Sequence, residues 1–402
     1  MTRTRTTSLA THVLRSNNRF AVLSCLRANG PLSRAALAEA LQLSAPTLTN
    51  ITNQLIEEGA LEVATEQPAS NTGYGRPRVN LQLSGQHSYV ATCIMTFNGV
   101  VVEVINFAGE AVSQTSSAQV IQNLDGHHLS KLVQDLVAQA AHASDVAIEK
   151  LCISIQGVTT AEHSEILWSP VVFDDALNFP QLIEQEMGIP VFVANDAAMM
   201  AQGIHARNGF AENSFAAVLM SYGIGLGLYR EGTAFVGNSS SAAEMGHLPY
   251  IAGGAKCRCG KQGCIEAYAS DYAILRRSQG LPTSELIADR VSNDDITAIY
   301  QRAEAGDQAA KAAVLDAAKA LGFALASLFS IFDAFPVVFV GPAARLLPLM
   351  EPQLRLSLRE NFRINRRVDV SFTVLEDDQA LSLAGTKAYA LTKVDRQLAD
   401  QR

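Results

Sequence analysis

Between residues 20 and 55 apolar side chains recur every three or four positions, the spacing that gathers them on one helical face, and turn residues cut the run into three short helices. Phe20, Leu23 and Leu26 share a face of the first, which Gly30-Pro31 ends. Ser33 caps a second helix with the stripe Leu37, Ala40 and Leu41. Ser44 caps a third, with Pro46 in the first turn, where a missing N–H costs little. Leu48, Ile51 and Leu55 then point inward, which leaves Ala45, Thr47, Thr49, Asn50 and Asn53 on the outer surface. Next comes "GALEVATEQPASNTGYGRPRVNLQLS", two apolar strands flanking a Gly-rich loop that carries Arg76 and Arg78.

From about residue 88 the pattern becomes apolar strands alternating with helices. "YVATCIMTF", "VVVEVINF", "KLCISIQGV", "IPVFVAND", "FAAVLMSYGIGLGLY" and "PVVFVGPA" read as strands; "LSKLVQDLVAQAAHA" and "AAKAAVLDAAKALGFALASLFSIF" read as helices. Such alternation predicts an α/β body of two lobes, with ligands beyond strand ends in the cleft between them. No periodic repeat is visible in the sequence.

Charge changes the picture of the first segment. The chain has 402 residues and a net charge of −8, yet residues 1–84 carry eight arginines against five glutamates, +3, leaving −11 for the rest. A short polar helix surface without acidic residues in its first two turns suits the major groove of double-stranded DNA, with Arg34 beside it and Arg76 and Arg78 on a wing reaching phosphates or a narrow minor groove. The same three helices would also serve as a protein–protein module. No charged-then-apolar leader and no run of about eighteen uncharged apolar residues is present, so the expectation is a cytoplasmic protein without membrane insertion. Cys25, Cys93 and Cys152 each stand alone in apolar runs and are expected in cores.

The other three of the six cysteines crowd into "AKCRCGKQGC". Cys257, Cys259 and Cys264 have C-x-C-x4-C spacing with Gly260 and Gly263 for sharp turns, and His247 lies ten residues upstream. Three thiolates and an imidazole complete a tetrahedral zinc ion and leave no place for water, the mark of a structural site. Lys256, Arg258 and Lys261 offset the excess negative charge. A redox role is the alternative, but it usually shows C-x-x-C beside a strand.

These residues carry a resemblance. "EMGHLPYIAGGAKCRCGKQGCIEAYAS" resembles the ROK family of sugar kinases and transcriptional repressors, in Glu244, Gly246, His247, Cys257, Cys259, Gly260, Gly263, Cys264 and Glu266; "IPVFVANDAAMMAQGI" is similar to its second signature and "GRP" at 75–77 to its repressors' wing. The glucose-, N-acetylglucosamine- and xylose-responsive repressors are the members it looks like. The resemblance implies a winged helix-turn-helix over 1–84 before a two-lobed actin-like ATPase/sugar-kinase fold: a first lobe over 85–196, completed by a C-terminal helix over 380–395, and a second over 197–380 with the zinc site. It implies that Asn195, Asp196, Glu244, His247 and Glu266 converge on a sugar effector, with Glu244 and Glu266 as mere supports of the metal loop being the alternative. It further implies a homodimer or homotetramer on operator DNA and, for some members, control by a phosphotransferase-system protein.

One departure stands out. Family kinases place a D-x-G-G-T turn on the first strand of the body, with Asp196 as general base. Here "IMTFN", Ile94 to Asn98, stands at that turn, with Ile94 for the aspartate and Thr96 and Phe97 for the glycines. The expectation is that nucleotide binding is lost and that the chain is a regulator, not an enzyme. An active sugar kinase with an appended DNA-binding head is the alternative. Gly223, Gly225 and Gly227 keep what looks like a second phosphate loop, and Asp174 and Asp175 are either pocket contacts or solvated.

Overall fold

The computed structural model describes residues 3–64, 79–97, 99–207, 212–235, 243–286, 291–362 and 370–401, with side chains from residue 12 onward. The first helix is far longer than its apolar face suggested, running Arg3–Asn29. Helices Arg34–Leu41 and Ala45–Glu57 follow, capped as their sequences dictate: the Ser33 hydroxyl accepts from Ala36 N–H and that of Ser44 from Thr47 N–H. Leu48, Ile51 and Leu55 are buried. Ala40 is exposed, however, and Phe20 is half-buried while Val22 takes the core place. Three short strands close the head as an antiparallel sheet in which Asn80–Leu83 lies between Leu32–Ser33 and Leu61–Val63. The loop between the last two, with Arg76 and Arg78, lies outside the described residues.

The body holds two five-stranded sheets. In the first, Tyr89–Thr96, Gly99–Asn106 and Ala111–Ser117 form an antiparallel meander, and Lys150–Ile155 and Val191–Asn195 add parallel strands on the other side of Tyr89–Thr96. In the second, Phe215–Met220, Ile224–Arg230 and Thr233–Phe235 form the meander, and Val337–Val340 and Phe372–Leu375 the parallel strands. Both sheets therefore share one strand order and one set of directions, a duplication without a sequence repeat. The run "FAAVLMSYGIGLGLY", which reads as a single strand, is a hairpin turning at Ser221–Gly223. Cys93 and Cys152 are buried as expected, whereas Cys25 is half-buried at the edge of its core. Helix Gln308–Phe332 is long and apolar enough to cross a membrane by composition alone; here thirteen of its residues are buried in the second lobe.

Two helices join the parts. Asp196–Ala206 and the C-terminal helix Asp378–Asp400 cross so closely that a Cβ on Gly203 would lie 2.0 Å from the Leu381 carbonyl oxygen and one on Gly385 1.7 Å from that of Met199. Only glycine permits that approach. Beyond the crossing, Ala390, Leu391, Val394 and Leu398 of the C-terminal helix enter one apolar cluster with Val22, Leu23, Leu26 and Leu55 of the head, Val90 and Ile105 of the first sheet, and Phe107 in the turn after its strand Gly99–Asn106. Arg19, fully buried, donates to Glu58 Oε1 at 3.0 Å and to the Leu398 carbonyl at 3.0 Å. The head thus shares its core with the body.

Candidate functional site

The metal-ligand atoms of His247, Cys257, Cys259 and Cys264 all lie within 4.8 Å of one another. Zn–S bonds of about 2.3 Å in a tetrahedron set sulfur atoms about 3.8 Å apart, and Cys259 Sγ lies 3.8 Å from Cys264 Sγ. His247 Nδ1 is likewise 3.8 Å from Cys257 Sγ. The loop reaches this geometry through Gly263, whose φ of 84° is left-handed and whose Cβ would meet the Ile251 carbonyl oxygen at 1.8 Å. Burial, with the Glu266 carboxylate beside it, holds the Cys257 thiol well above its ordinary value. A divalent cation would reverse that preference, because it binds the thiolate and releases the proton. The donor set fits a metal ion fully, with no ligand position left over.

His247 connects this cluster to a pocket. Its Nδ1 faces the thiols while Nε2 lies 3.8 Å from Glu244 Oε2, and Trp168 meets the ring edge-on at 6.0 Å. Asn195, Asp196, Glu244, His247 and Glu266 all line the pocket, so the structure brings the five residues together. Asn195 ends a parallel strand, the position where open α/β sheets present ligand groups. Its Oδ1 caps the following helix at Ala198 N–H, 3.0 Å, and its Nδ2 donates to the Gly157 carbonyl at 2.8 Å. Asp196 follows; burial pushes its carboxyl up to about 6. Glu244 rises to about 7, through burial first and then the nearby Asp196 and Glu266 charges.

Glu266 stands apart from the other four. It is 6% exposed and accepts from Cys257 Sγ at 3.3 Å, Tyr272 Oη at 3.3 Å and Ile224 N–H at 3.4 Å. These partners make it a support of the metal loop as well as a pocket wall. Asp174 and Asp175 are exposed on a single 3-10 turn and do not line the pocket; Trp168 and Pro170 of the same segment do.

Sequence reading missed an aromatic stack. Phe97 lies nearly parallel to Tyr222 with ring centroids 4.4 Å apart, the Arg258 guanidinium sits 3.7 Å from the centroid of the Tyr222 ring, and Tyr272 is 4.2 Å from the same guanidinium. Arg258 also donates to the Tyr222 carbonyl at 2.9 Å. The arginine between two metal-site cysteines therefore does more than balance charge: it ties the metal loop to Phe97 at the hairpin turn of the first sheet. No spacing rule joins four residues so far apart in sequence.

On the head, Ala45, Thr47, Thr49, Asn50 and Asn53 are all exposed on the third helix. Arg34 donates to Thr52 Oγ1 and to Asn53 Oδ1, each at 2.9 Å, and so holds Asn53 in place from the preceding helix.

Comparison with known proteins fits this architecture. The ROK family profile matches residues 100–392, and that of the MarR family residues 16–65. The xylose repressor of Caldicellulosiruptor bescii is 25% identical over 373 residues, covering 89% of this chain and 92% of that protein. A solved ROK family transcriptional regulator, a homolog of the Escherichia coli MLC protein, superposes with a TM-score of 0.78 at 22% identity, over 97% of this chain and 99% of that one. A ROK family glucokinase from Streptomyces griseus, solved with glucose and AMPPNP, superposes with a TM-score of 0.60 at 22% identity, over 75% of this chain and 99% of that one. The fold is accordingly a MarR-type winged helix-turn-helix ahead of a kinase-like body.

Proposed function

The chain belongs to the ROK family, and from that premise we propose that it is a DNA-binding transcriptional regulator, a repressor of sugar uptake or metabolism genes, whose kinase-like body senses a sugar without phosphorylating it. Residues 1–84 are the DNA head, 85–196 with the C-terminal helix the first lobe, and 197–380 the second. A relative named as a xylose repressor and a structural neighbour named as a ROK family transcriptional regulator support this reading. The observation that carries it is the C-terminal helix: Asp378 and Gln379 at one end line the cleft beside Asp196, and Leu398 at the other lies in the core of the head. One rigid element thus spans from ligand site to DNA-binding unit, so a ligand that binds one lobe arrangement better shifts the head with it.

Asp196, Glu244 and Asn195 take sugar hydroxyls, which carboxylates and amides hold in pairs. His247 gives Nδ1 to a structural zinc ion with Cys257, Cys259 and Cys264, and Nε2 to the sugar. The zinc ion, when bound, holds the imidazole and the loop in place. The regulatory, non-enzymatic reading rests on the end of the first strand of the body and the turn after it, where Ile94, Thr96 and Phe97 stand and Phe97 stacks on Tyr222. Ala45, Thr47, Thr49, Asn50 and Asn53, steadied by Arg34, enter the major groove of operator DNA in a homodimer or homotetramer, with Arg76 and Arg78 of the wing on the backbone or minor groove.

The test is an operator fragment selected from random duplexes by the full-length protein, titrated with and without candidate sugars and in parallel with ATP and Mg2+. A sugar-dependent change in operator affinity with no ATP consumption is expected. Operator affinity unmoved by every sugar that binds, or phosphoryl transfer to a sugar, would overturn the proposal.

A further inference from the structure

The sugar pocket does not end at Asp196. Gln156, Asp196, Leu219 and Tyr222 line both the pocket and a second cavity of about 460 Å³, which lies between the lobes beyond the Asp196 carboxyl. That volume falls within the roughly 300–1,000 Å³ of sites built for drug-sized ligands. Its lining has a distinct chemical character. Three carboxylates, Asp196, Asp271 and Asp378, face it, together with hydroxyls and amides such as Ser221, Ser382 and Gln379. No lysine or arginine lines it among the described residues.

Carboxylates repel phosphate at contact distance where no cation stands beside them, and none does among the described residues of this lining. The same array is well suited to hydroxyl groups, which donate to carboxylates and accept from amides. Ile94, Met95, Val291 and Pro342 supply the apolar wall that the C–H face of a ring needs. Phe97, stacked on Tyr222, lines the space beside the shared wall.

Building on the sugar-sensing reading, we propose that this cavity is a second sugar subsite, so that the effector is an unphosphorylated oligosaccharide with one ring beside Glu244 and His247 and the next across Asp196, between Phe97 and Asp378. Asp196 stands at the junction, where it accepts from hydroxyls of both rings. A bare monosaccharide fills only the inner chamber, and a sugar 6-phosphate meets the carboxylates.

Calorimetry on the zinc-loaded, full-length protein tests this directly, with xylose against xylobiose, glucose against cellobiose, N-acetylglucosamine against chitobiose, and glucose 6-phosphate and N-acetylglucosamine 6-phosphate alongside. At least one disaccharide is expected to bind tenfold or more tightly than its monosaccharide. Asn293→Trp places a ring into the outer cavity from an exposed position at a helix start. Once melting curves confirm folding, it is expected to remove the disaccharide advantage and leave monosaccharide affinity within twofold. A monosaccharide that binds with no gain from a second ring, or a sugar phosphate that binds most tightly, overturns the subsite and leaves the sensor intact. Silence from every sugar overturns both.

Discussion

The guanidinium of Arg27 donates to both carboxylate oxygens of Asp395, at 2.9 and 2.8 Å, and its third nitrogen donates to the Phe107 carbonyl at 2.9 Å. A residue of the head thereby holds the C-terminal helix and the turn that follows strand Gly99–Asn106 of the first sheet at once. Asp395 is 2% exposed, so its charge has little other solvation.

Arg27→Ala is therefore expected to destabilise the whole chain by about 3–5 kcal/mol, because it strands a buried carboxylate. Arg27→Met with Asp395→Leu removes both charges and is expected to cost much less. Urea unfolding of the two variants checks this; equal losses would show that packing, and not the unpaired charge, dominates.

Asp196 carries a cost that its proposed role explains. Burial raises its carboxyl to about 6, so the folded chain holds this proton to higher pH than the unfolded chain does. The penalty is absent below about pH 4 and complete above about pH 6, which makes stability fall as pH rises through that window. At about 1.4 kcal/mol per pH unit it amounts to at most about 3 kcal/mol. Asp196→Asn is expected to melt higher than the parent at pH 8, to match it at pH 4, and to lose sugar binding. A variant less stable at pH 8 would refute this account.

The four-donor cluster is expected to hold one zinc ion per chain, read by elemental analysis of the purified protein. Cys264→Ser or prolonged chelation should remove it, lower the melting temperature and abolish sugar binding, since His247 then loses what orients its ring. Retention of full sugar affinity in the metal-free protein would separate the two sites.

Asn50 is exposed on the third helix and carries an amide able to pair with adenine in the major groove. Asn50→Ala is expected to weaken operator binding by about 1–3 kcal/mol while leaving affinity for unrelated duplexes and its salt dependence nearly unchanged. Arg34→Ala should give a smaller loss of the same kind, because it releases Asn53. Fluorescence anisotropy at two salt concentrations distinguishes these outcomes from the loss of a phosphate contact.

What could be read from the chain follows the range of the forces involved. Ser33 and Ser44 were legible as caps because each bonds a backbone N–H three residues away. The metal cluster was legible because its three sulfurs sit within eight residues. Ala111–Ser117 escaped notice because an edge strand with alternately exposed and half-buried polar side chains shows no apolar run. Ala40 was misplaced because a methyl group counts equally well as stripe or surface. The Phe97–Tyr222–Arg258–Tyr272 stack and the Arg27–Asp395 clasp join residues from distant elements, and nothing in local periodicity encodes them.

The cluster that unites Leu23 and Leu55 of the head with Phe107 and Val394 of the body bears on how such a chain comes to exist. A head transplanted onto a kinase body by joining ends near residue 84 would leave an apolar face uncovered on each part, and a graft that omits the last turns of the C-terminal helix would strand Arg19 without the Leu398 carbonyl. Chimeras that exchange heads among relatives must carry the C-terminal helix with the head or rebuild its contacts, because the two share one core.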